Sequence, residues 1–239
     1  AGYGQPGKFM ENPAKTISLN TTSTMELLEK LHPNGKFLFI SSSEVYSGLP
    51  NPPYTEEQIG TTNTTHPRSC YIEGKRCGEA IVNAFRGKDV DVKSARLSLA
   101  YGPGTKKGDA RVLNSFIYRA LQEGSITLMD QGLAKRTYCY VSDAVEILLN
   151  ILLRGKEPIY NVGGFSKTTI GELAKDIGKY AEVPVTFPQD SEGGIQGAPD
   201  DVFLDMSRAT NEFSKKEFIS LEEGLKKTIT WQRALYDSK

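Results

Sequence analysis

The sequence predicts an α/β protein built on a parallel β-sheet. Stretches typical of strands and of amphipathic helices alternate along the 239 residues, and this alternation is typical of α/β folds. Residues 36–40 form a short apolar run, which is typical of a strand covered on both faces and therefore of a parallel sheet. The chain is long enough to bury a sizeable core, as one large domain or two small ones.

Each element has its own local signal. Asn12 and Pro13 are typical of a helix start, and the periodic apolar residues after them predict a helix over 12–31, before the His-Pro-Asn-Gly sequence at 32–35. A loop rich in Pro, Asn and Thr is predicted over 49–67. The other predicted helices are 70–86, 111–122, 142–153, 169–180 and 221–235, and the other predicted strands are 92–101, 126–129 and 158–162.

Composition argues against several classes of function. The 29 Lys and Arg residues balance the 29 Asp and Glu residues, so there is no basic excess to favour a nucleic acid or a membrane surface as partner. No apolar run approaches the ~20 residues of a membrane helix, and the first residues lack the apolar core of a signal peptide. Three Cys and two His residues favour neither a disulfide framework nor a structural zinc site. We therefore expect free thiols, no metal and a cytoplasmic protein.

Tyr71 and Lys75 form the most informative pair of residues in the sequence. A spacing of four on a helix places both side chains on one face. A free tyrosine, with a pKa of about 10, is a poor base at neutral pH, but an ammonium within about 4–6 Å stabilises the phenolate and lowers that pKa. The pair is therefore a candidate for proton abstraction, although the spacing alone also fits two neighbours on a helix surface.

The sequence before this helix supports the catalytic interpretation. The strand at 36–40 ends in a hydroxyl-rich turn that contains Ser42, Ser43 and Glu44. Ligands of open α/β sheets bind beyond the carboxyl ends of the strands, so these side chains could converge with Tyr71 on one substrate. The alternative is that the serines only cap and stabilise the turn.

Several motifs in a fixed order resemble a known family. They are Ser-Ser-Ser-Glu-Val-Tyr at 41–46, Pro-Arg-Ser-Cys-Tyr-Ile-Glu-Gly-Lys-Arg at 67–76, Tyr-Gly-Pro-Gly at 101–104, and the segments 136–143, 159–164 and 221–225. Together they resemble the extended short-chain dehydrogenase/reductase family, and more narrowly its NAD-dependent nucleotide-sugar epimerases, dehydratases and UDP-glucuronate decarboxylases. The resemblance implies a Rossmann-like parallel sheet and a smaller C-terminal substrate-binding lobe. The implied cofactor domain is 1–104 with 133–165, and the implied lobe is 105–132 with 166–239.

The resemblance also implies a mechanism and its catalytic residues. Tyr71 would remove the proton of a sugar hydroxyl while hydride passes from the C4 carbon to NAD. Lys75 would hold the nicotinamide ribose and lower the pKa of Tyr71. Ser42 would bind the reacting sugar oxygen, while Ser43 and Glu44 match the neighbouring active-site positions of decarboxylases.

Further residues are assigned to the ligands by the same resemblance. Ser41 and Leu99 fall at positions that contact the cofactor. Arg111, Arg136 and Tyr101 fall where family members bind the sugar nucleotide, most simply a UDP-sugar. Guanidinium groups suit the diphosphate, although an ordinary surface charge is the alternative for either arginine. Family members commonly dimerise, so we expect a homodimer through helices 12–31 and 70–86.

Departures from the family pattern leave the reaction open. Dehydratases usually have Asp where this chain has Ser43, which argues against dehydration. Decarboxylases usually have Asn where this chain has Leu99, and an arginine where it has Val202 or Phe203. An epimerase and a decarboxylase therefore both remain open.

The first residues contain a misleading glycine motif. Residues 2–7 fit G-x-G-x-x-G literally, but no strand is expected before them, and Pro6 lacks the N–H that a pyrophosphate loop needs. By resemblance, the first βαβ unit is absent from this sequence. We expect strand 36–40 to expose an apolar edge, and these residues alone to bind NAD weakly or not at all.

Two other functions stay open at this point. The chain could be a truncated, catalytically incompetent module that binds a nucleotide sugar or dimerises, as the absent glycine loop suggests. A reductase for small carbonyl compounds fits Tyr71 and Lys75 but not the long region after Gly104, which resembles the substrate lobe of nucleotide-sugar enzymes.

Overall fold

A computed structural model describes residues 2–189 and 201–237. The helices are α1 (Pro6–Glu11), α2 (Pro13–Asn20), α3 (Thr22–Glu29), α4 (Ser69–Ala84), α5 (Val112–Gln122), α6 (Val141–Arg154), α7 (Ile170–Ala181), α8 (Ser207–Phe213) and α9 (Leu221–Asp237). The strands are β1 (Lys36–Ser42), β2 (Asp91–Leu97), β3 (Ala100–Tyr101), β4 (Ile126–Thr127), β5 (Lys135–Tyr140), β6 (Ile159–Val162), β7 (Ser166–Thr169), β8 (Val185–Thr186) and β9 (Asp201–Val202). A 3-10 helix, Ser43–Tyr46, follows β1. Within the described ranges, no helix has the length and apolar character needed to cross a membrane.

The chain divides into two units. Unit 1 comprises residues 1–98, 144–163 and 203–216, and unit 2 comprises residues 99–143, 164–202 and 217–239. This division differs from the one that the resemblance implies for 99–104, 133–143 and 164–165, which belong to unit 2. Strand β5 pairs there with β3, β7 and β9. The division also differs for 203–216, which belongs to unit 1.

Unit 1 contains a parallel sheet in the order β1-β2-β6. Helix α4 connects β1 to β2, as expected for an α/β fold. In the register of this sheet Ser41 lies opposite Arg96, and Arg96 lies opposite Asn161. Polar residues of three neighbouring strands are therefore brought side by side near the carboxyl ends of those strands.

Strand β1 lies at one edge of this sheet. Among the described residues it pairs only with β2, and Ile40 is 40% exposed. The prediction that both faces of strand 36–40 would be covered is therefore wrong for the face that carries Ile40. The predicted parallel pairing is confirmed. The pairing with β2 alone, within the part of the chain that the structure describes, agrees with the expectation of an exposed edge.

Two glycines of α4 lie against α2. A Cβ at Gly78 would lie 2.3 Å from Phe39 Cζ and 2.8 Å from the Asn20 carbonyl oxygen. A Cβ at Gly74 would meet its nearest atom, the Asn20 Cβ, at 3.4 Å, which is an ordinary contact. Gly78 is thus the position that allows α4 to approach both α2 and β1 closely.

Unit 2 is built around short strands and three packed helices. Its strands pair in the order β3-β5-β7, with β9 beside β5, and β4 pairs separately with β8. Helix α7 begins with a capping box in which the Thr169 and Glu172 side chains bind each other's backbone N–H groups. The core of unit 2 includes Tyr101, Phe116, Ile117, Ile126, Leu173, Ile177 and Leu225.

The predicted helix over 12–31 is two helices. Its start at Pro13 is confirmed, but the helix breaks at Thr21, whose hydroxyl donates to the Ile17 carbonyl oxygen at 2.9 Å. Residues 21–24 are Thr-Thr-Ser-Thr, and such side chains compete with the helical hydrogen bonds of the backbone. Helix α1, in the stretch of the misleading glycine motif, was not predicted.

The predicted strand over 92–101 is also interrupted. It ends at Leu97, and Leu99 adopts a left-handed backbone with φ of 43°, which is unusual for a bulky residue. Strands β5, β7, β8 and β9 were not predicted, because most are too short to show a period of two. The predicted elements at 70–86, 111–122, 126–129, 142–153, 158–162, 169–180 and 221–235 are confirmed with shifts of a few residues at their ends.

The close approach at Gly78 makes a prediction about stability. Gly78→Ala should lower the free energy of unfolding by about 1–3 kcal/mol, because the added methyl group must displace Phe39 or the α2 backbone. Gly74→Ala, on the same helix, is the matched control and should leave stability unchanged or slightly raised, since Ala favours a helix. Urea denaturation of both variants measures the difference, and equal stability of the two would contradict this account.

Candidate active site

Tyr71 and Lys75 lie near the start of α4, four residues apart on one face of the helix. The Lys75 Nζ is 5.6 Å from the centroid of the Tyr71 ring and 4.9 Å from that of Phe39. Both side chains are buried in unit 1. The structure thus brings together the pair that the spacing predicts and excludes an exposed position on the helix surface.

The Lys75 ammonium is strongly influenced by its burial. Burial lowers the pKa of Lys75 to about 8, and attraction to the Glu79 carboxylate opposes that shift. Its Nζ donates to the Ile40 carbonyl oxygen at 2.7 Å, which uses one of three N–H donors. The remaining donors, next to a phenol, suit the hydroxyls of a nicotinamide ribose, so the residues here fit the cofactor that the resemblance implies.

The Tyr71 ring is held by Phe9. The two rings stack with centroids 4.5 Å apart and an interplanar angle of 11°. The Phe9 carbonyl oxygen in turn accepts from the Thr16 hydroxyl at 3.2 Å and the Cys70 thiol at 3.5 Å. Phe9 was not predicted as a site residue, because its contact with Tyr71 arises only when α1 packs against α4.

Ser42 and Ser43, the two serines of the turn after β1, occupy different positions in that turn. Ser42 caps the 3-10 helix, since its Oγ accepts from the Glu44 N–H at 3.3 Å. That bond leaves the Ser42 O–H proton available as a donor. Ser43 is half-buried at the first position of the 3-10 helix. Cap chemistry and substrate binding are therefore compatible at Ser42.

Glu44 is paired with Arg68, a residue just before α4. Their carboxylate and guanidinium are in direct contact and both largely buried. The Arg68 guanidinium also lies 5.4 Å from the centroid of the Phe9 ring. Contacts therefore continue from Glu44 through Arg68 and Phe9 to Tyr71, so that the proposed base and this carboxylate share one support.

Ser41, which the resemblance assigns to the cofactor, has a partner within the chain. Its hydroxyl donates to Glu79 Oε1 at 2.5 Å. Glu79 also accepts from Arg96 Nε at 3.0 Å and Arg96 Nη2 at 2.8 Å. The Ser41 side chain thus belongs to a buried polar network beneath Tyr71 and Lys75.

Arg96 is the centre of that network. Its Nη1 donates to the Tyr46 hydroxyl at 2.9 Å and to the carbonyl oxygens of Glu56 and Gln58 at 3.1 and 3.0 Å. Burial alone would lower the pKa of Arg96, but its hydrogen bonds and charge interaction with Glu79 raise that pKa instead. Each of the three nitrogens of this buried guanidinium therefore donates at least one hydrogen bond.

The network extends to the third strand of the sheet. The Tyr46 hydroxyl donates to Asn161 Oδ1 at 2.7 Å, and Asn161 Nδ2 donates to the Tyr54 and Asp205 carbonyl oxygens at 2.8 and 3.0 Å. Burial raises the pKa of Tyr46 to about 12, although Arg96 opposes this. Sequence reasoning missed the network, because its members are far apart in the chain and only the strand register brings them together.

The two candidate arginines lie in unit 2. Arg111 immediately precedes α5, and its Nε and Nη2 bind the Asp109 carboxylate at 3.0 and 2.8 Å. Arg136 is a half-buried residue of β5, and its Nη1 donates to the Lys135 carbonyl oxygen at 2.7 Å. Arg111 is 44% exposed at its side chain, so its guanidinium is accessible to an anion.

Tyr101 and Leu99 are also residues of unit 2. Tyr101 is buried against the edges of the Tyr138 and Tyr140 rings, its hydroxyl donates to the Leu221 carbonyl oxygen at 3.4 Å, and burial raises its pKa. The position of Tyr101 is that of a core residue. The Leu99 carbonyl oxygen accepts from a backbone N–H of β5 at 3.3 Å.

The cysteines are free thiols, as expected. Cys70 and Cys139 are buried and Cys77 is exposed, and burial raises the pKa of the Cys70 thiol. His66 is a loop residue whose Nδ1 accepts from the Arg68 N–H at 3.2 Å.

Comparison with known proteins identifies the family. The sequence profile of the family described as NAD dependent epimerase/dehydratase matches residues 1–163. The chain belongs to this family. UDP-glucuronic acid decarboxylase 6 of Arabidopsis thaliana is 32% identical over 222 residues, which are 91% of this chain and 63% of that protein. UDP-glucuronic acid decarboxylase 1 of Xenopus tropicalis is 32% identical over 239 residues, which are 98% of this chain and 55% of that protein.

Solved structures of family members share the fold. The UDP-glucose 4-epimerase of Thermotoga maritima, crystallised with UDP-glucose, is 25% identical with a TM-score of 0.84, covering 99% of this chain and 76% of the epimerase. A dTDP-glucose 4,6-dehydratase of Streptomyces venezuelae with bound NAD has a TM-score of 0.83 at 20% identity, covering 98% of this chain and 71% of that one. The Rossmann-like α/β class is thereby confirmed. The chain spans between half and two thirds of the length of the two decarboxylases named above.

The buried network makes a prediction about stability. Arg96→Leu should lower the free energy of unfolding by about 3–5 kcal/mol, because it leaves the Glu79 carboxylate buried without its partner. Lys36→Met, which breaks an exposed ion pair with Asp91 at the start of the same strands, should cost no more than about 1 kcal/mol. Thermal unfolding of both variants provides the comparison, and an Arg96 variant as stable as the Lys36 variant would refute a structural role for the network.

Proposed function

We propose that the natural protein is an NAD-dependent enzyme that modifies a nucleotide sugar through transient oxidation at C4. The observation that carries this proposal is the buried Lys75 ammonium 5.6 Å from the ring of Tyr71. A positive charge beside a phenol favours the phenolate form, and a phenolate can act as the general base that removes the proton of a sugar hydroxyl. Membership of the NAD-dependent epimerase/dehydratase family supports the same reaction class.

Tyr71, Lys75 and Ser42 have separate roles in the proposed reaction. Tyr71, as a phenolate that the Lys75 ammonium stabilises, would accept the proton of the C4 hydroxyl and become a neutral phenol. Lys75 would also bind the nicotinamide ribose. NAD, when bound, would supply the hydride acceptor and donor that this transient oxidation needs. Ser42 donates its O–H to the reacting oxygen, for which its capping bond leaves it free.

The substrate is proposed to be a UDP-sugar. The two decarboxylases named above act, by their names, on UDP-glucuronic acid, and the Thermotoga epimerase was crystallised with UDP-glucose. Arg111 and Arg136 are proposed to bind the diphosphate and ribose of the nucleotide, since guanidinium groups suit these anions. Arg111 would then share its guanidinium between Asp109 and the phosphate.

Decarboxylation is the first candidate reaction, and epimerisation is the second. The Ser43–Glu44 pair resembles decarboxylases, and Glu44 is held by Arg68. The chain has no arginine at Val202, which is buried on β9, or at Phe203. An arginine in this segment would recognise a sugar carboxylate, so its absence is what favours an epimerase.

The protein is proposed to be a cytoplasmic homodimer. Helices α2 and α3 leave Ile17, Met25 and Leu27 exposed, and α4 leaves Cys77 and Ala80 exposed. Apolar side chains that remain exposed on neighbouring helices are typical of an interface. These are the helices through which the resemblance implies dimerisation.

The phenol hydroxyl provides the test of the reaction. In the natural protein, Tyr71→Phe should lower turnover of UDP-glucuronate or UDP-glucose at least 10²–10⁴-fold, roughly the contribution of a positioned base, and calorimetry should show unchanged binding of UDP. Tyr118→Phe, at an exposed tyrosine of unit 2, is the control and should leave turnover unchanged. Full activity of the Tyr71 variant would refute the assignment, and UDP binding without any turnover in the wild type would favour a binding module.

The proposed dimer makes a separate prediction. Met25→Glu should convert the dimer to a monomer in light scattering, because it buries a charge in the proposed interface. Ile59→Glu, at an exposed apolar residue outside these helices, is the control and should keep the dimer mass. A monomeric wild type would count against the interface.

A further inference from the structure

The Glu79 carboxylate lies one helical turn beyond Lys75 on the same face of α4. It is buried, and Arg96 binds it through two N–H groups while Ser41 donates a third hydrogen bond. A carboxylate bound by a guanidinium and a hydroxyl has little freedom to move. Its negative charge is therefore fixed at one position beneath the candidate active site.

The surroundings of Lys75 disfavour its ammonium form unless a negative charge lies nearby. Its side chain is 8% exposed and packs over the Phe39 and Tyr71 rings, with the Ile40 carbonyl oxygen as its hydrogen-bond partner. Such surroundings favour the neutral amine, because an ammonium loses its hydration there. A neutral amine could not stabilise a phenolate at Tyr71.

The other polar groups around Lys75 do not supply the charge. On its own helix the neighbours are the Tyr71 phenol and the Glu73 carboxylate, which is paired with Arg76. From β2 comes the Arg96 guanidinium, which is positive and bound to Glu79. From α2 comes Asn20, a neutral amide that packs against α4.

The other acidic residues on the elements packed against α4 are exposed or already paired. The exposed ones are Glu11 on α1 and Glu26 and Glu29 on α3. The paired ones are Asp91 of β2, bound to Lys36 and Lys93, and Glu44 of the 3-10 helix, bound to Arg68. The attraction that opposes the effect of burial on the pKa of Lys75 comes from Glu79. Glu79 is thus the carboxylate in a position to balance the ammonium.

We propose that Glu79, held in place by Arg96 and Ser41, is a positioning residue that keeps the Lys75 side chain in its ammonium form. The proposal rests on the proposed function, in which Lys75 acts on Tyr71, and adds a residue that touches neither substrate nor cofactor. Under this proposal, the buried network around Arg96 contributes to the chemistry of the site as well as to the stability of the protein.

The sign of the effect follows from the burial of Lys75. Burial lowers the pKa of Lys75 from its ordinary value to about 8, while Glu79 raises it. Removal of the Glu79 charge should therefore lower the pKa further, and the ammonium should be lost at a lower pH. The alkaline limb of the activity profile should move in the same direction.

The experiment is a pH titration of the Lys75 side chain by NMR. The Cε signal of ¹³C-labelled lysine is assigned by its disappearance in Lys75→Arg. In Glu79→Gln its midpoint should fall by at least about one pH unit relative to wild type, a tenfold change in the deprotonation equilibrium. A midpoint equal to that of wild type would overturn the proposal.

A matched control removes the same charge from the same helix. Glu73→Gln deletes a carboxylate two residues from Lys75 that is paired instead with Arg76. Its Lys75 midpoint should remain that of wild type. A shift as large as that of Glu79→Gln would indicate a general effect of charge and would also overturn the proposal.

A second variant covers the case in which Glu79→Gln does not fold. Glu79→Gln with Arg96→Gln removes both buried charges together, which avoids an unpaired guanidinium. Its Lys75 midpoint should again lie below that of wild type, and an unchanged midpoint in this folded variant would overturn the proposal. The titration needs no turnover, so its result is independent of the Tyr71→Phe assay that tests the proposed function.

Discussion

The site depends on the burial of one positive charge beside a phenol. Lys75 lies in apolar surroundings formed largely by the rings of Phe39 and Tyr71, where an ammonium is unfavourable unless a fixed negative charge compensates it. Glu79 provides that charge, and Arg96 holds Glu79 in place. Ser41 on β1 and Arg96 on β2 both bind Glu79, the carboxylate that compensates the charge of Lys75.

The parallel sheet is what makes the compensation possible. Ser41 on β1 lies opposite Arg96 on β2, which lies opposite Asn161 on β6. Their side chains join a network that includes the Tyr46 hydroxyl. Because an unsatisfied buried polar group is costly, the hydrogen bonds around Arg96 favour the observed register of the strands. The same contacts that hold the sheet together thus support the groups proposed for catalysis.

A second set of contacts leads to Tyr71. Glu44, Arg68, Phe9 and Tyr71 contact one another in sequence. The candidate base and the carboxylate that resembles decarboxylases therefore share a support from α1 and the segment before α4. This arrangement explains how a turn and a helix separated by a long loop can share one set of contacts.

The sequence by itself determined the α/β class, most of the helices and the Tyr71–Lys75 pair, because hydrophobic period and i,i+4 spacing are local properties of a chain. Ordered motifs along the chain indicated the family. Only the tertiary structure decided that the helix over 12–31 breaks at Thr21 and that Ser41 binds Glu79. It alone showed that Phe9 stacks on Tyr71. These contacts join residues that local patterns treat as unrelated, and burial and strand register choose the partners.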